Sequence, residues 1–338
     1  MVDAAREPST WQAPGPELDA SSLKGKRIFV LADGTSEFAE SFAGGVKAAG
    51  EALGMTVKRG NGNLVTTQDI QALRGAINEK VDAIIFLALT PATISSALKE
   101  AQAAGIPTIG AFTGDPALPS ADDKANGVTA NATICYSCIG ELLAGTELLR
   151  SGTDMKAYVQ DFLDYPASEF TVKGWKDTTE KYCPECETTY QHVPLSDPSQ
   201  QTTSAAQVAS QDPKATVIFP VLDLMVPYVL PPVTAAGAAS RINVISQNAN
   251  LAQMQAIQNG SPQKTDVGTP VAWAGWASVD QAVRAMLGMD PVADEKIPFR
   301  LFDETNIKDL DLDADQGTWY GNDDYASKYK TLWGVANS

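Results

Sequence analysis

Short apolar runs alternate with amphipathic stretches along most of the chain. Residues 27–31 read Arg-Ile-Phe-Val-Leu and stop at Asp33-Gly34, the pattern of a buried parallel strand that ends in a turn. Over 37–53, Phe38, Phe42, Val46 and Ala49 fall on one stripe, which predicts a helix closed by Gly54. A second strand is predicted over 55–58. The next helix begins near Thr66 or Thr67, either of which can cap it, and runs through Ile70, Leu73 and Ile77. The unit then repeats, with a strand over 81–87, a helix to residue 104 with Pro91 in its first turn, and a strand over 105–112. Such a series predicts a parallel, doubly wound sheet.

The second half has the same rhythm. Strands are predicted at 128–130, 156–160, 187–193, 215–220, 243–246 and 267–271. Between and after them come helices at 134–149, 170–182, 203–210, 249–258 and 276–287, and a Pro-broken helical stretch that ends at Ala238. An alternation that runs twice predicts an α/β protein of two similar Rossmann-like lobes. Ligands of such sheets sit at the carboxyl ends of the strands, so a guest is expected where the two lobes face each other. Residues 2–22 are rich in Pro, Ala, Ser and acids without periodicity, which reads as a flexible arm of the kind that tethers an exported protein.

With 338 residues, 44% of them hydrophobic, the chain can build two cores. Lys plus Arg number 25 against 41 Asp plus Glu, a net charge of −16 that repels nucleic acid and anionic lipid. No apolar run approaches the roughly 18 residues of a membrane span. The start Met1-Val2-Asp3-Ala4 lacks the charged and apolar regions of a signal peptide. We read it as a trimmed mature chain that works in the periplasm or outside the cell, against the alternative of a cytoplasmic protein.

Catalytic patterns are missing. There is no Gly-x-Ser-x-Gly elbow and no P-loop, and His192, the single histidine, lies in a predicted strand. Asp309, Asp311, Asp313 and Asp315 alternate like a calcium loop but lack its glycine and its closing glutamate, so they read as a solvated acidic turn. No enzyme activity, cofactor or metal is expected.

The four cysteines form two C-x-x-C pairs, Cys135 with Cys138 and Cys183 with Cys186. A four-thiolate zinc site and a redox-active pair at a helix start are both open readings. The even count and local spacing favour two short-range disulfides in an oxidising compartment.

The order of several local patterns resembles the type I periplasmic binding proteins of ABC importers, in the branch that includes ribose-binding protein. The resemblance spans about 27–303. It rests on Asp33-Gly34-Thr35-Ser36-Glu37-Phe38 after the first strand, on Glu51-Ala52-Leu53-Gly54-Met55, on Val81-Asp82-Ala83-Ile84-Ile85 followed by Ala104-Gly105-Ile106-Pro107, and on Lys173-Gly174-Trp175. It implies a three-strand hinge with crossovers near Ala130, Val271 and Asp303. Lobe one would be 24–130 plus 274–302, lobe two 131–273 plus 303–338, and residues 1–23 the arm. It further implies a monomer that traps a small molecule, most commonly a sugar or polyol in that branch, and delivers it to a membrane permease.

The resemblance also assigns candidate ligand residues. The loop after the first strand contributes Ser36, Glu37 and Phe38. Where the family's sugar binders carry Asp-Arg, this chain has Phe112-Thr113. Thr171 stands at a position often held by Arg, Leu222 with Asp223 beside it replaces an Asn, and Gln247 replaces an acid. Trp273 comes with the last crossover, and Tyr165 lies on a loop after a lobe-two strand. The aromatic residues also read as core, and Trp175 and Trp276 read so first. Hydroxyl-gripping charges have become Phe, Thr, Leu and Gln, so the expected cleft is aromatic and mostly neutral. A sugar or polyol is the expected ligand, a less polar or aromatic molecule the alternative, and a ligand sensor the alternative role.

Overall fold

The computed structural model describes all residues except 163–164, 195–196, 322–323 and 336–338. In chain order the elements are α1 (Val2–Arg6), β1 (Arg27–Leu31), α2 (Glu37–Ala52), β2 (Thr56–Gly60), α3 (Thr66–Asn78), β3 (Ala83–Leu87), α4 (Pro91–Ala103), β4 (Thr108–Ala111), α5 (Ala121–Ala125), β5 (Ala130–Ala132) and α6 (Tyr136–Ser151). They continue as β6 (Lys156–Asp161), α7 (Pro166–Tyr182), β7 (Glu187–His192), α8 (Pro198–Gln211), β8 (Val217–Phe219), α9 (Val226–Ala235), β9 (Asn243–Gln247), α10 (Leu251–Gln258), β10 (Gln263–Gly268), α11 (Val271–Met286), β11 (Arg300–Asp303) and α12 (Tyr325–Leu332).

Two compact units result. The first comprises Thr10–Ile134, Pro270–Pro298 and Gly321–Ser338. Its five-stranded sheet has the order β2-β1-β3-β4-β5, parallel throughout. The continuous apolar runs of β1 and β3 are buried on both faces, as a sheet covered by helices requires. On one side Phe29, Leu31, Ile84 and Phe86 pack with Leu73 of α3 and with Ile94 and Leu98 of α4. On α2, Ser36 caps the helix by accepting the Ala39 amide, and Glu37 and Glu40 favour the positive end of its dipole. Helix α2 also meets α11 backbone to backbone: a Cβ at Gly45 would lie 2.1 Å from the Ala272 carbonyl oxygen.

The second unit comprises Met1–Ser9, Cys135–Thr269 and Phe299–Tyr320. Its six-stranded sheet has the order β11-β10-β9-β8-β6-β7, parallel except that β11 runs antiparallel to β10 at one edge. Ile218 and Val244 pack with Ala205 and Val208 of α8 and with Val226, Val229 and Val233 of α9. The expected proline break is absent, and α9 continues through Pro231 and Pro232. Pro227 falls in the first turn, where its missing N–H has no partner to lose, and the buried valines hold the rest.

The division of the chain differs from the expected one at both ends. Residues 1–23 are bound rather than loose. Arg6 pairs with Asp303 at 2.6 Å and its carbonyl accepts from Arg300 at 2.7 Å. The backbone amides of Leu18 and Ala20 donate to Leu332 and Trp333. Composition pointed to an arm because these anchors are single residues without periodicity. The last segment, from Gly321, joins the first unit, where the Trp333 indole donates to Asp280 at 2.6 Å. The expected strand over 267–271 lies earlier, as β10, because Gln263, Thr265 and Asp266 are polar yet fully buried. Consequently α11 starts at Val271 and Trp273 stands on its first turn.

Candidate functional site

Backbone strain gathers at the carboxyl ends of the strands. Ala88 (φ 53°) follows β3, Phe112 (φ 57°) follows β4, Val221 (φ 43°) lies just past β8, and Asn248 (φ 123°) and Ala249 (φ 51°) follow β9. None is glycine, so each carries a side chain in a sparsely populated conformation, a feature that clusters at ligand sites.

In the first unit this edge is braced by Asp33, which accepts the amides of Gly62 and Leu64, and by Arg59, which donates to the carbonyls of Ala32 and Gly34. Asp69 is buried, and burial together with the facing Asp33 carboxyl pushes it up to about 7. Ser36 is occupied as a helix cap. Glu37 is exposed beside it, its carboxyl raised by desolvation. Phe38 and Phe112 come together with ring centroids 5.0 Å apart, and Phe42 backs Phe112 at 6.0 Å. The Thr113 hydroxyl lies 3.4 Å from the Asn131 side-chain oxygen. Phe112 is buried, so of this pair it is the half-buried Phe38 that the edge presents, with polar groups around it.

In the second unit, Thr171 on α7 donates to Gln247 Oε1 at 3.0 Å, and both residues are 0% exposed. The Gln247 amide nitrogen on the side chain has no hydrogen-bond partner. Turning the amide over only exchanges which of its two polar atoms is left over. A buried donor of this kind is costly unless something accepts from it. Beside it, Asp223 accepts from the Ser246 hydroxyl at 2.5 Å and from the Asn250 amide at 2.6 Å. Asp266 on β10 completes this cluster by accepting the Ala249 amide at 2.9 Å. Burial first, and the Asp266 charge second, raise Asp223 well above the usual carboxylate range; burial pushes Asp266 to about 6. Tyr165 precedes α7, half-buried, at its N-cap position.

A family model described as "periplasmic binding protein domain" matches residues 27–290. The chain belongs to that family. This periplasmic binding protein is similar in fold to an ABC transporter solute binding protein from Agrobacterium vitis with bound allitol, at a TM-score of 0.74 and 18% identity, covering 85% of this chain and 98% of that one. Another from Agrobacterium vitis, bound with alpha-D-tagatopyranose, has a TM-score of 0.74 and 19% identity over 85% and 97% of the two chains. A third, from Mycobacterium smegmatis with bound glycerol, has a TM-score of 0.72 and 16% identity over 85% and 96%. No curated protein matches the sequence. The two-unit α/β architecture of this periplasmic binding protein, with its parallel sheets, is the one its family and these structures share. No described helix is long and apolar enough to cross a membrane.

Of the candidate residues, the fold pairs Phe38 with Phe112 and Thr171 with Gln247 and sets Asp223 in the neighbouring acid cluster. Trp273, on the first turn of α11, is 3% exposed and stacks with Trp11 at 5.5 Å and Tyr325 at 4.9 Å. The cysteines are joined as Cys135–Cys138 and Cys183–Cys186, within each C-x-x-C rather than around a shared metal. Sequence reading missed Ser246, Gln263 and Asp266, whose cluster lies next to Gln247. The run Ser246-Gln247-Asn248-Ala249-Asn250, polar at the end of an apolar strand, was the available signal.

Proposed function

We propose that this protein captures a small hydroxyl-bearing solute, a sugar or polyol, outside the cytoplasm and hands it as a monomer to the permease of an ABC importer. The observation that carries the reading is the unpartnered, fully buried side-chain nitrogen of Gln247, held in place by Thr171 at the carboxyl end of β9. A solute hydroxyl supplies the acceptor it lacks once the side chains that cover the nitrogen move aside. Thr171, Gln247, Asp223 and Tyr165 in the second unit, and Ser36, Glu37 and Thr113 in the first, are the polar contacts. Phe38, backed by the buried Phe112, provides the face on which the apolar side of a sugar ring rests. The bound allitol, tagatopyranose and glycerol of the similar structures support this class of ligand. Two disulfides fit an oxidising compartment. The family's role is binding.

The test is a thermal-shift panel of hexoses, hexitols, pentoses, glycerol and small aromatic compounds, followed by calorimetry. A polyhydroxy compound at about 100 times its Kd adds about 2.7 kcal/mol to the folded state, an upward shift of several degrees. A panel in which no polyhydroxy compound shifts the transition, while an aromatic one does, sinks the sugar-or-polyol reading.

A further inference from the structure

The Cys135–Cys138 disulfide lies where the chain enters the second unit, at the first turn of α6. Cys135 is the N-cap, and its sulfur accepts the Cys138 amide at 3.2 Å. Ser137, inside the disulfide loop, presses its carbonyl onto α7: a Cβ at Gly174 would lie 2.0 Å from that oxygen. One turn on, the relation is reversed, and a Cβ at Gly140 would lie 1.9 Å from the Thr171 carbonyl oxygen. The two helices therefore touch backbone to backbone over residues 171–175, with no side chain between them to absorb a shift. At one end of this seam Thr171 donates to Gln247; at the other Trp175 packs on Phe219 with centroids 5.3 Å apart.

We propose that the Cys135–Cys138 disulfide is a redox-sensitive positioning element that sets the α6 turn against α7 and so fixes Thr171 on Gln247. The inference rests on the reading of that pair as ligand-binding. A bridge over so short a loop constrains the unfolded chain little, so its effect is local geometry rather than global stability. Both cysteines are half-buried rather than enclosed in the core. Reduction by an external dithiol breaks the Sγ–Sγ bond. The dithiol gives up two electrons and two protons, closes to its own disulfide, and leaves Cys135 and Cys138 as thiols. The released turn then ceases to hold Ser137 on Gly174. The Cys183–Cys186 bridge stands at the far end of α7, as its C-cap, and does not touch the seam.

Amide hydrogen exchange of the full chain, read by mass spectrometry over 168–178 and 244–248, tests this without any ligand. The Cys135→Ser/Cys138→Ser variant is compared with the oxidised protein and with Cys183→Ser/Cys186→Ser. Exchange over 171–175 should accelerate roughly tenfold or more in the first variant and stay within about twofold in the second. Should the first variant misfold, brief dithiothreitol treatment of folded Cys183→Ser/Cys186→Ser, in which 135–138 is the remaining bridge, provides the comparison with its own oxidised form. Unchanged exchange over 171–175 after cleavage of the 135–138 bridge, or equal acceleration from the 183–186 variant, overturns the proposal. If exchange accelerates but no polyhydroxy compound binds, the seam stands and the sugar reading falls.

Discussion

Asp223 and Asp266 face the same hydroxyl: Ser246 donates to Asp223 Oδ1 at 2.5 Å and stands 3.3 Å from Asp266 Oδ2. One hydroxyl proton cannot serve two carboxylates, and both acids are buried. Folding therefore holds protons that the unfolded chain releases. The stability due to these groups is complete below the ordinary carboxyl value of 3.8. It falls as pH rises, through about 6 for Asp266 and higher for Asp223. For Asp266, moving from 3.8 to about 6 corresponds to about 3 kcal/mol. Asp223→Asn keeps the shape and a donor while removing one proton from this balance. Urea unfolding should show the variant gaining on the wild type steadily from about pH 4 to about pH 8. A difference that does not change with pH would mean the pair is not sharing a proton.

A third buried acid makes a separate prediction. Glu295 is 1% exposed, with the Tyr329 hydroxyl at 3.5 Å from one oxygen and no hydrogen-bond partner for the other. Burial, then the charge of Asp280, raises it well above the carboxylate range. Its contribution is present below 4.5 and is lost as pH climbs through the raised value. Glu295→Gln should match the wild type in thermal unfolding near pH 4 and exceed it at pH 8. A variant less stable than the wild type at pH 8 would show that the charged form is the one the fold wants.

The strands that read most clearly from sequence are those buried on both faces. Ile28-Phe29-Val30-Leu31 and the run from Ala83 to Leu87 could hardly be anything else. Strand β10 was displaced because its buried side chains are Gln263, Thr265 and Asp266, tied into hydrogen bonds that hydropathy cannot report. Helix α12 went unseen because it is short and held by tertiary contacts, Tyr329 against Trp276 and Trp333. At the site, Thr171 and Gln247 came from positional resemblance alone, since their hydrogen bond joins residues 76 apart. The left-handed conformations of Ala88, Val221 and Asn248 had no signal, because glycine is the residue by which such positions are read.

Two glycines in helices should respond oppositely to alanine. A Cβ at Gly140 meets the Thr171 carbonyl oxygen at 1.9 Å, whereas a Cβ at Gly44 meets nothing within 4 Å. Gly140→Ala must separate α6 from α7 and should cost about 1–3 kcal/mol or more. Gly44→Ala, in α2, should gain up to about 1 kcal/mol from helix propensity. Denaturant midpoints of the two variants measure this directly, and a Gly140→Ala protein as stable as the wild type would refute the close crossing.

The binding role of Thr171 can be separated from its packing. Valine preserves the shape at this fully buried position but removes the hydroxyl that Gln247 accepts from. Losing that donor leaves a buried oxygen unpaired, about 1–3 kcal/mol, and frees the amide to turn away from a solute. Serine keeps the hydroxyl and gives up one methyl group. With whichever polyhydroxy compound shifts the wild type most, Thr171→Val should raise Kd by about 10- to 100-fold. Thr171→Ser should stay within a few-fold of the wild type in the same calorimetric titration. Should valine and serine weaken binding equally, volume rather than the hydroxyl is what the solute senses at this position. Gln247 would then be a core residue whose leftover nitrogen is satisfied by water.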